Sequence, residues 1–561
     1  MLFVPGLARG QRVLGPADDA TVVPRGLFRF GVQTTWSRAN ERFSDGLFGR
    51  KKGAPERLGI DFDVDSLGPS RWEPLQPLTG ALQVLTGKNL VPSTLGQLRV
   101  DFDYSSVTTP LSLEYGLTRR LTLGVVVPYV KTRNEVSLNP NPKRTGGTMG
   151  INPALTHTAA LAQNLAVAMQ LTEAVTQLQS ELATCMGSSA PECSAINADR
   201  ARATQLAASG AAVASAVSAV YGTKVGEGAR YAPVQGSAIQ KDIAARLIAL
   251  STDFGDFLGT PPGSRAGWVV AQPVGAPLMG LADFTTILSD SSFEIGAVPL
   301  ETVERSHIGD VEFGAKLLLY DGLGAQPPQR PDYRGLKFRL AVGGAYRLGT
   351  AQYQSPDDFA DIGTGDAQDD VEGRVFADVL VGRRFWASFV GKYGVQKADA
   401  QWERIPSAPH APFPALYRRQ YIERDLGDYV AWEFSPRVSL SDALMFTATI
   451  SAYSKKADSY TGTFSVTDLS GDPITLDASI LNAGTERTEQ RVVAGFTYST
   501  MAAYYRGRAK RPLEVSYVVG QSLGGSGLAI KQFTQAIGLR LYIPLFAAPE
   551  ARPTRPARRT P

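Results

Sequence analysis

The chain has 561 residues, 43% of them hydrophobic, with a mean hydropathy of -0.10 and a formal net charge of +4. No run of about 18 uncharged apolar residues occurs, which argues against membrane-spanning helices, and the small, dispersed charge argues against a nucleic-acid partner. The 56 glycines, 20 tyrosines and 24 phenylalanines suit many strands with aromatic girdles.

Residues 1–11 read MLFVPGLARGQ, a short apolar stretch followed by small residues. This is the pattern of the end of a secretory signal, without the usual basic beginning. From there the dominant signal is alternation. Successive strand side chains point to opposite faces, so a lipid-facing strand is apolar at every second position. In 371–381, Val371, Val375, Ala377, Val379 and Val381 share one face, while Glu372, Arg374 and Asp378 share the other. In 336–347, Leu336, Phe338, Leu340, Val342 and Tyr346 oppose Lys337, Arg339 and Arg347.

The template places strands near 25–38, 98–118, 120–133, 307–321, 336–350, 370–383, 385–399, 428–440, 443–457, 488–501, 512–521 and 531–546. An even number of antiparallel strands is what a bacterial single-chain barrel requires. Connection lengths agree. One set is short or moderate, at 118–120, 382–384, 441–442, 321–335 and 501–511; the other is long, at 39–97, 134–306, 351–369, 400–427 and 458–487. One strand shows a phase slip. Phe102 and Tyr104 are even, but Leu111, Leu113, Tyr115 and Leu117 are odd, which predicts a β-bulge between Ser106 and Pro110. The last strand closes near Phe546 like an assembly signal for outer-membrane barrels, and an Arg- and Pro-rich tail follows.

Residues 153–221 lose the strand period and become rich in Ala, Leu and Gln. They predict a helical hairpin with its tip stapled by a disulfide between Cys185 and Cys193, the two cysteines of the chain. A third helix is expected over 237–258. Strand parity puts this insertion on the outer side, as a cap, a plug or a partner-binding arm. The chain then divides into a signal remnant (1–11), the first three strands (25–150), the helical insertion and outer loop (151–306), the remaining strands (307–546) and a disordered basic tail (547–561).

No catalytic spacing, phosphate loop or metal motif stands out, so no enzyme activity and no cofactor are expected. Ser306-His307 is a weak dyad-like pair near a strand end, read as a rim feature. The acidic loop 355–370 carries Asp357, Asp358, Asp361, Asp366, Asp369 and Asp370, and is read as solvated rather than calcium-binding. The candidate functional residues are the charges on the face opposite the lipid: Asp310, Glu312, Lys316, Lys337, Arg339, Arg347, Glu372, Arg374, Asp378, Lys392, Glu433, Arg437 and Arg540, with Glu514 beside the last. Charge facing lipid is costly near the midplane. These groups therefore line a lumen, either as a salt-bridge network that fills it or as a polar path that selects solutes.

Residues 308–316 (IGDVEFGAK) resemble a recurrent strand of the outer-membrane proteins grouped as the meta-pathway of phenol degradation family, in which a Gly-Asp step opens a strand ending in Lys. Gly349-Thr350, then Gly363-Thr364-Gly365 in an acidic loop, extend the likeness, and 113–129 matches more loosely. The resemblance implies an outer-membrane barrel that transports small compounds, aromatic ones among them. The chain departs from it in the helical insertion and at Leu348, where a proline is common.

The sequence thus predicts an all-β membrane barrel, antiparallel and transmembrane, of about twelve strands with an extracellular helical hairpin. Its expected role is a channel or passive transporter for small solutes, with the insertion as a gate. The alternative is a structural barrel that uses the stapled hairpin as a contact arm. The expected partners are outer-membrane lipid, the barrel-assembly machinery during insertion and a small solute.

Overall fold

A computed structural model describes residues 18–143, 146–263, 265–323, 335–382 and 384–544. The signal-like start, Phe546 and the basic tail lie outside these residues. Twelve strands make the barrel: β1 (Leu27–Phe43), β2 (Leu98–Gly116), β3 (Leu121–Pro140), β4 (Val303–Ile308 with Val311–Asp321), β5 (Leu336–Leu348), β6 (Asp370–Val381), β7 (Phe385–Gln396), β8 (Tyr429–Ser439), β9 (Leu444–Lys455), β10 (Arg487–Ser499), β11 (Leu513–Ser526) and β12 (Ile530–Pro544). Each pairs antiparallel with its chain neighbours, and β1 pairs with both β2 and β12, so the sheet closes.

Outward-facing positions form an apolar band. Val371, Val375, Phe389, Ile450, Phe496 and Ile537 all stand exposed there. Aromatic residues gather at its margins. Phe385 and Tyr498 lie towards the short turns, and Trp36, Tyr129, Tyr393 and Trp432 towards the long loops. This is the architecture of an outer-membrane barrel, with short turns in the periplasm and long loops outside. The barrel lies in the outer membrane on that geometry.

β2 and β3 have 19 and 20 residues, against roughly 9–11 needed to span. They rise above the band, and their polarity inverts there. Lys131, Arg133 and Glu135 continue the outward face of Leu123 and Tyr129, but in water, where Lys131 and Arg133 meet Glu304 at 3.2 and 3.0 Å. On β2 the inward face at this height is apolar: Val100, Phe102 and Tyr104 are buried. The predicted bulge at 106–110 is therefore absent. β2 and β3 pair without interruption from Leu98–Pro140 to Gly116–Thr122, and even-numbered residues face inward throughout. Bulges occur elsewhere: in β4, Tyr129 pairs with Ile308 but Val126 with Glu312, so Gly309-Asp310 holds an extra residue, and the register also shifts at Arg38/Glu41, Leu318/Tyr320 and Gln490/Arg491.

The alternation of connection lengths has one exception. The outer link between β11 and β12 is only 527–529. It turns at Gly527 (φ 64°), where a Cβ would fall 1.6 Å from the Glu486 carbonyl oxygen.

The helices build a cap over the outer mouth: α1 (Thr79–Thr86), α2 (Thr158–Thr184), α3 (Arg200–Tyr221), α4 (Ala238–Leu258) and α5 (Leu281–Ser289). α2 buries Leu161, Asn164, Val167, Ala168, Leu171, Ala174, Val175 and Leu178, the spacing of one helical stripe. Asp199 caps α3 by accepting from the Arg202 N–H at 3.0 Å. Gly210 lets three helices meet, since a Cβ there would lie 2.8 Å from both Val175 on α2 and Phe254 on α4. Cys185 and Cys193 are bonded and buried at the hairpin tip. The cap shares one core with the barrel rim, where Phe413 touches Phe62, Trp72, Phe284 and Phe359 at ring distances of 5.4, 5.5, 5.7 and 5.8 Å.

A charge on the lipid face tests this orientation. Val375→Arg is expected to destabilise the barrel by roughly 2–4 kcal/mol, the cost near the bilayer midplane. Reversible unfolding in lipid vesicles measures it, and a change under about 0.5 kcal/mol would place Val375 elsewhere.

Candidate functional site: the barrel lumen

Every strand-borne charge singled out from the sequence has inward parity, while Asp310 sits at the β4 bulge. The registers then decide which groups meet. Glu312 of β4 lies opposite Arg347 of β5, and Arg347 opposite Asp370 of β6. A belt of ion pairs results at mid-height. Arg347 reaches Asp370 at 2.5 Å and Glu312 at 3.9 Å; Arg374 reaches Glu312 at 2.8 Å and also pairs with Glu372. The Tyr429 hydroxyl donates to Glu372, and Lys392 meets Glu433 at 3.3 Å. Across the barrel Arg540 lies 3.5 Å from Glu514. Lys337 stands apart, half-buried near the periplasmic rim.

Above the belt, the loop 349–369 folds into the mouth instead of standing in solvent. Asn134 and Thr132 on the inner face of β3 donate to the carbonyls of Ala360 and Gly363 at 2.9 and 3.2 Å. Three of its aspartates meet arginines from other segments, with Asp358 and Asp361 buried and Asp357 half-buried. Asp361 takes Arg305 at 3.2 Å, and Asp357 takes Arg404 at 2.8 Å. The expectation of a solvated acidic loop fails because those partners, distant in sequence, neutralise it. Among the described residues no cluster suited to a metal ion occurs. Gly363-Thr364-Gly365 is the turn expected of it, with Gly363 at φ 69°.

Below the belt lies a feature the sequence analysis did not find. Residues 18–24, ahead of β1, run inside the periplasmic third of the barrel. Lys316 donates to the Asp18 carboxylate at 2.8 Å and to the Asp19 carbonyl at 2.9 Å. Arg437 donates to the Asp19 carboxylate at 2.8 Å and to the Asp18 carbonyl at 3.1 Å. The Ala20 N–H donates to Asp378 at 3.2 Å, and the Val23 N–H to the Thr122 hydroxyl at 2.8 Å. Ala20 is fully buried against Leu318, Ala341, Phe376 and Val390. No periodicity marks these residues, and their partners lie 298 and 418 positions away. The only signal in the sequence is the Asp18-Asp19 pair ahead of a strand.

Between this segment and the belt is a cavity of about 60 Å³, lined by Asp18, Thr21, Glu312, Lys316, Arg374 and Phe376 among others. Such a space holds a few waters. Part of its wall is bare backbone, because Gly124 of β3 and Gly314 of β4 are directly paired and both face inward. Arg29 and Glu114, which the sequence reading passed over, pair across β1 and β2 on its margin.

The other candidates lie at the outer rim and in the cap. His307 is exposed on the outer part of β4, its Nδ1 2.9 Å from the Ile308 carbonyl oxygen. The hairpin of α2 and α3 lies packed within the cap core.

No family model matches the chain, and no curated protein matches it. Among solved structures it is similar to an outer-membrane channel from Pseudomonas putida F1, at 9% identity over 94% of this chain and 99% of that one, with a TM-score of 0.40. It is also similar to the toluene transporter TbuX of Ralstonia pickettii, at 8% identity over 94% and 92% of the two chains, with a TM-score of 0.24. The transport unit of the autotransporter AIDA-I from Escherichia coli gives 5% identity, 92% and 90% coverage and 0.29. At such scores no residue role passes from those proteins to this chain.

The outer structure carries a titratable group of its own. Burial pushes the Glu403 carboxyl up to about 7, against the opposing hydrogen bond from Tyr353 and the charge of Arg424. The folded protein therefore holds a proton that the unfolded chain releases near about 4.3. That stabilisation is complete below the unfolded value and is lost as pH rises through about 7. Resistance of the outer loops to protease is expected to fall between roughly pH 5 and 8, and Glu403→Gln to flatten the fall. An unchanged profile in Glu403→Gln would assign the effect to another group.

Proposed function

We propose that the chain is an outer-membrane channel that passes small solutes passively and rests closed. The observation that carries this reading is how the lumen is filled. Its inner third is occupied by residues 18–24, tied to the wall chiefly by charge and hydrogen bonds. A barrel serving only as an anchor fills its interior with side chains of its own strands. A separate segment held by polar contacts can leave, because water can replace those contacts where it cannot replace an apolar core.

The same comparison assigns the fixed and moving parts. The cap shares a continuous apolar core with Val100, Phe102 and Tyr104 of β2, so it is a fixed roof. The loop 349–369 narrows the mouth beneath it. The inner segment has only the buried Ala20 and Val23 and the flank of Val22 as its apolar hold, far less than the cap has, so it is the moving part. Solutes of either charge meet a wall of paired cations and anions, which favours small polar species over bulky ones. The likeness of 308–316 to the meta-pathway of phenol degradation family fits this reading, with Gly309-Asp310 as the bulge of β4.

Conductance in a planar bilayer tests it. The unmodified protein is expected to be mostly silent, with rare brief openings. Asp19→Asn removes the anion facing Arg437 and is expected to lengthen and multiply openings by roughly tenfold, the effect of about 1.4 kcal/mol on a two-state equilibrium. Silence of both proteins, with no solute uptake into liposomes, would leave the barrel as an anchor.

A further inference from the structure

The inner third is an anion site that the chain fills with its own carboxylates. Lys316 of β4 and Arg437 of β8 each present a cation to the lumen, and each rests against an aromatic face. Lys316 Nζ lies 4.0 Å from the centre of the Phe376 ring, and the Arg437 guanidinium 4.5 Å from that of Trp386. Arg339 lies against the same indole at 5.2 Å. This backing fixes the cations in place without neutralising them. The carboxylates 2.8 Å from Lys316 and Arg437 are those of Asp18 and Asp19, both on the inner segment.

The wall's own carboxylate here is Asp378, and it is engaged elsewhere. It accepts from the Ser388 hydroxyl at 2.8 Å and from the Ala20 N–H at 3.2 Å, and lies 3.9 Å from Arg339. If the segment left alone, two sheltered cations would lose the anions facing them, which is costly in a narrow lumen. Departure is therefore coupled to the arrival of another anion. Its class follows from the surroundings. Asp378 beside the site disfavours a dianion. The cavity next to Lys316 has bare walls at Gly124 and Gly314, and Asp18 and Thr21 themselves line it, so it widens when they leave. A carboxylate with a small apolar body fits both conditions.

We infer that small organic monocarboxylates bind at Lys316 and Arg437 in competition with Asp18 and Asp19, and that this exchange releases residues 18–24 from the lumen. The inference deepens the channel reading and rests on it for its physiological sense, but its test needs no conduction.

Val22→Cys in the full chain places a thiol on the segment, and the two native cysteines are bonded to each other. The rate at which a water-soluble methanethiosulfonate modifies this thiol in detergent reports release. Benzoate and acetate are expected to raise it, benzoate by roughly tenfold, while benzyl alcohol and inorganic phosphate leave it unchanged. In Asp18→Asn/Asp19→Asn the thiol is expected to react fast without any addition. That double variant is also expected to bind benzoate more tightly in calorimetry, because the internal competitor is gone. Arg437→Met is expected to abolish the benzoate response. The inference is overturned if benzoate leaves the rate unchanged and the double variant binds it no tighter. It is also overturned if benzyl alcohol acts as benzoate does, since the carboxylate is then irrelevant. If benzoate releases the segment but no current or uptake follows, the site stands and the channel reading falls.

Discussion

The ladder of backbone hydrogen bonds that joins β1 to both β12 and β2 governs everything else in this molecule. Within hydrocarbon an unpaired N–H or C=O costs several kcal/mol, so a sheet in the bilayer must close. Closure at twelve strands fixes a wall of limited bore. The two-residue period then delivers every second side chain to that bore, whatever the fold would prefer to put there. Lipid demands apolar groups on one face, and the other face is left to charge. Above the bilayer the ladder continues but the demand reverses. There water lies outside β2 and β3, and Phe102 and Tyr104 turn inward to join the core of the cap.

That reversal explains which parts of the fold were legible in the sequence. The twelve strands were readable because Val371, Val375, Val379 and their counterparts obey a single rule, apolar towards lipid. The rule was then applied too far. It puts Phe102 and Tyr104 on the lipid side and requires a bulge to reconcile them with Leu111 and Leu113. A strand of 19 residues is long enough to leave the membrane, and its length was the missing clue. The bulge at Gly309-Asp310 inverts the phase, but only Val303–Ile308 precede it, too short and polar a run to show the inversion beside Glu312 and Lys316. The helical hairpin and the Cys185–Cys193 bond were legible since both depend on neighbours in sequence.

The lumen was half legible. Parity gives the face of each charge, so Glu312, Arg347, Arg374 and Asp378 could be listed together, but pairing depends on register, which sequence alone leaves open. The acidic loop was misread for a related reason. Aspartates in a run suggest solvent, yet Arg305 and Arg404, far off in the chain, pair with and neutralise two of them. The inner segment was missed altogether. Seven aperiodic residues carry no secondary-structure signal, and their meaning lies wholly in contacts across the barrel.

The same kind of ion pair plays two different roles at two heights of this lumen. In the belt both partners belong to the wall or to the loop anchored beneath the cap, so Glu312, Arg347 and Arg374 pair with one another independently of the inner segment. In the inner third one partner of each pair belongs to a short segment whose apolar hold is Ala20, Val22 and Val23, and separation requires replacing its charge. Losing a facing anion is costly for a sheltered charge, and that loss falls on Lys316 and Arg437 once Asp18 and Asp19 withdraw. On the proposed channel reading, the closed state is thus stabilised less by what the segment gains than by what the wall would lose. On that reading, an open state is one in which water or an incoming anion stands where the segment's carboxylates stood.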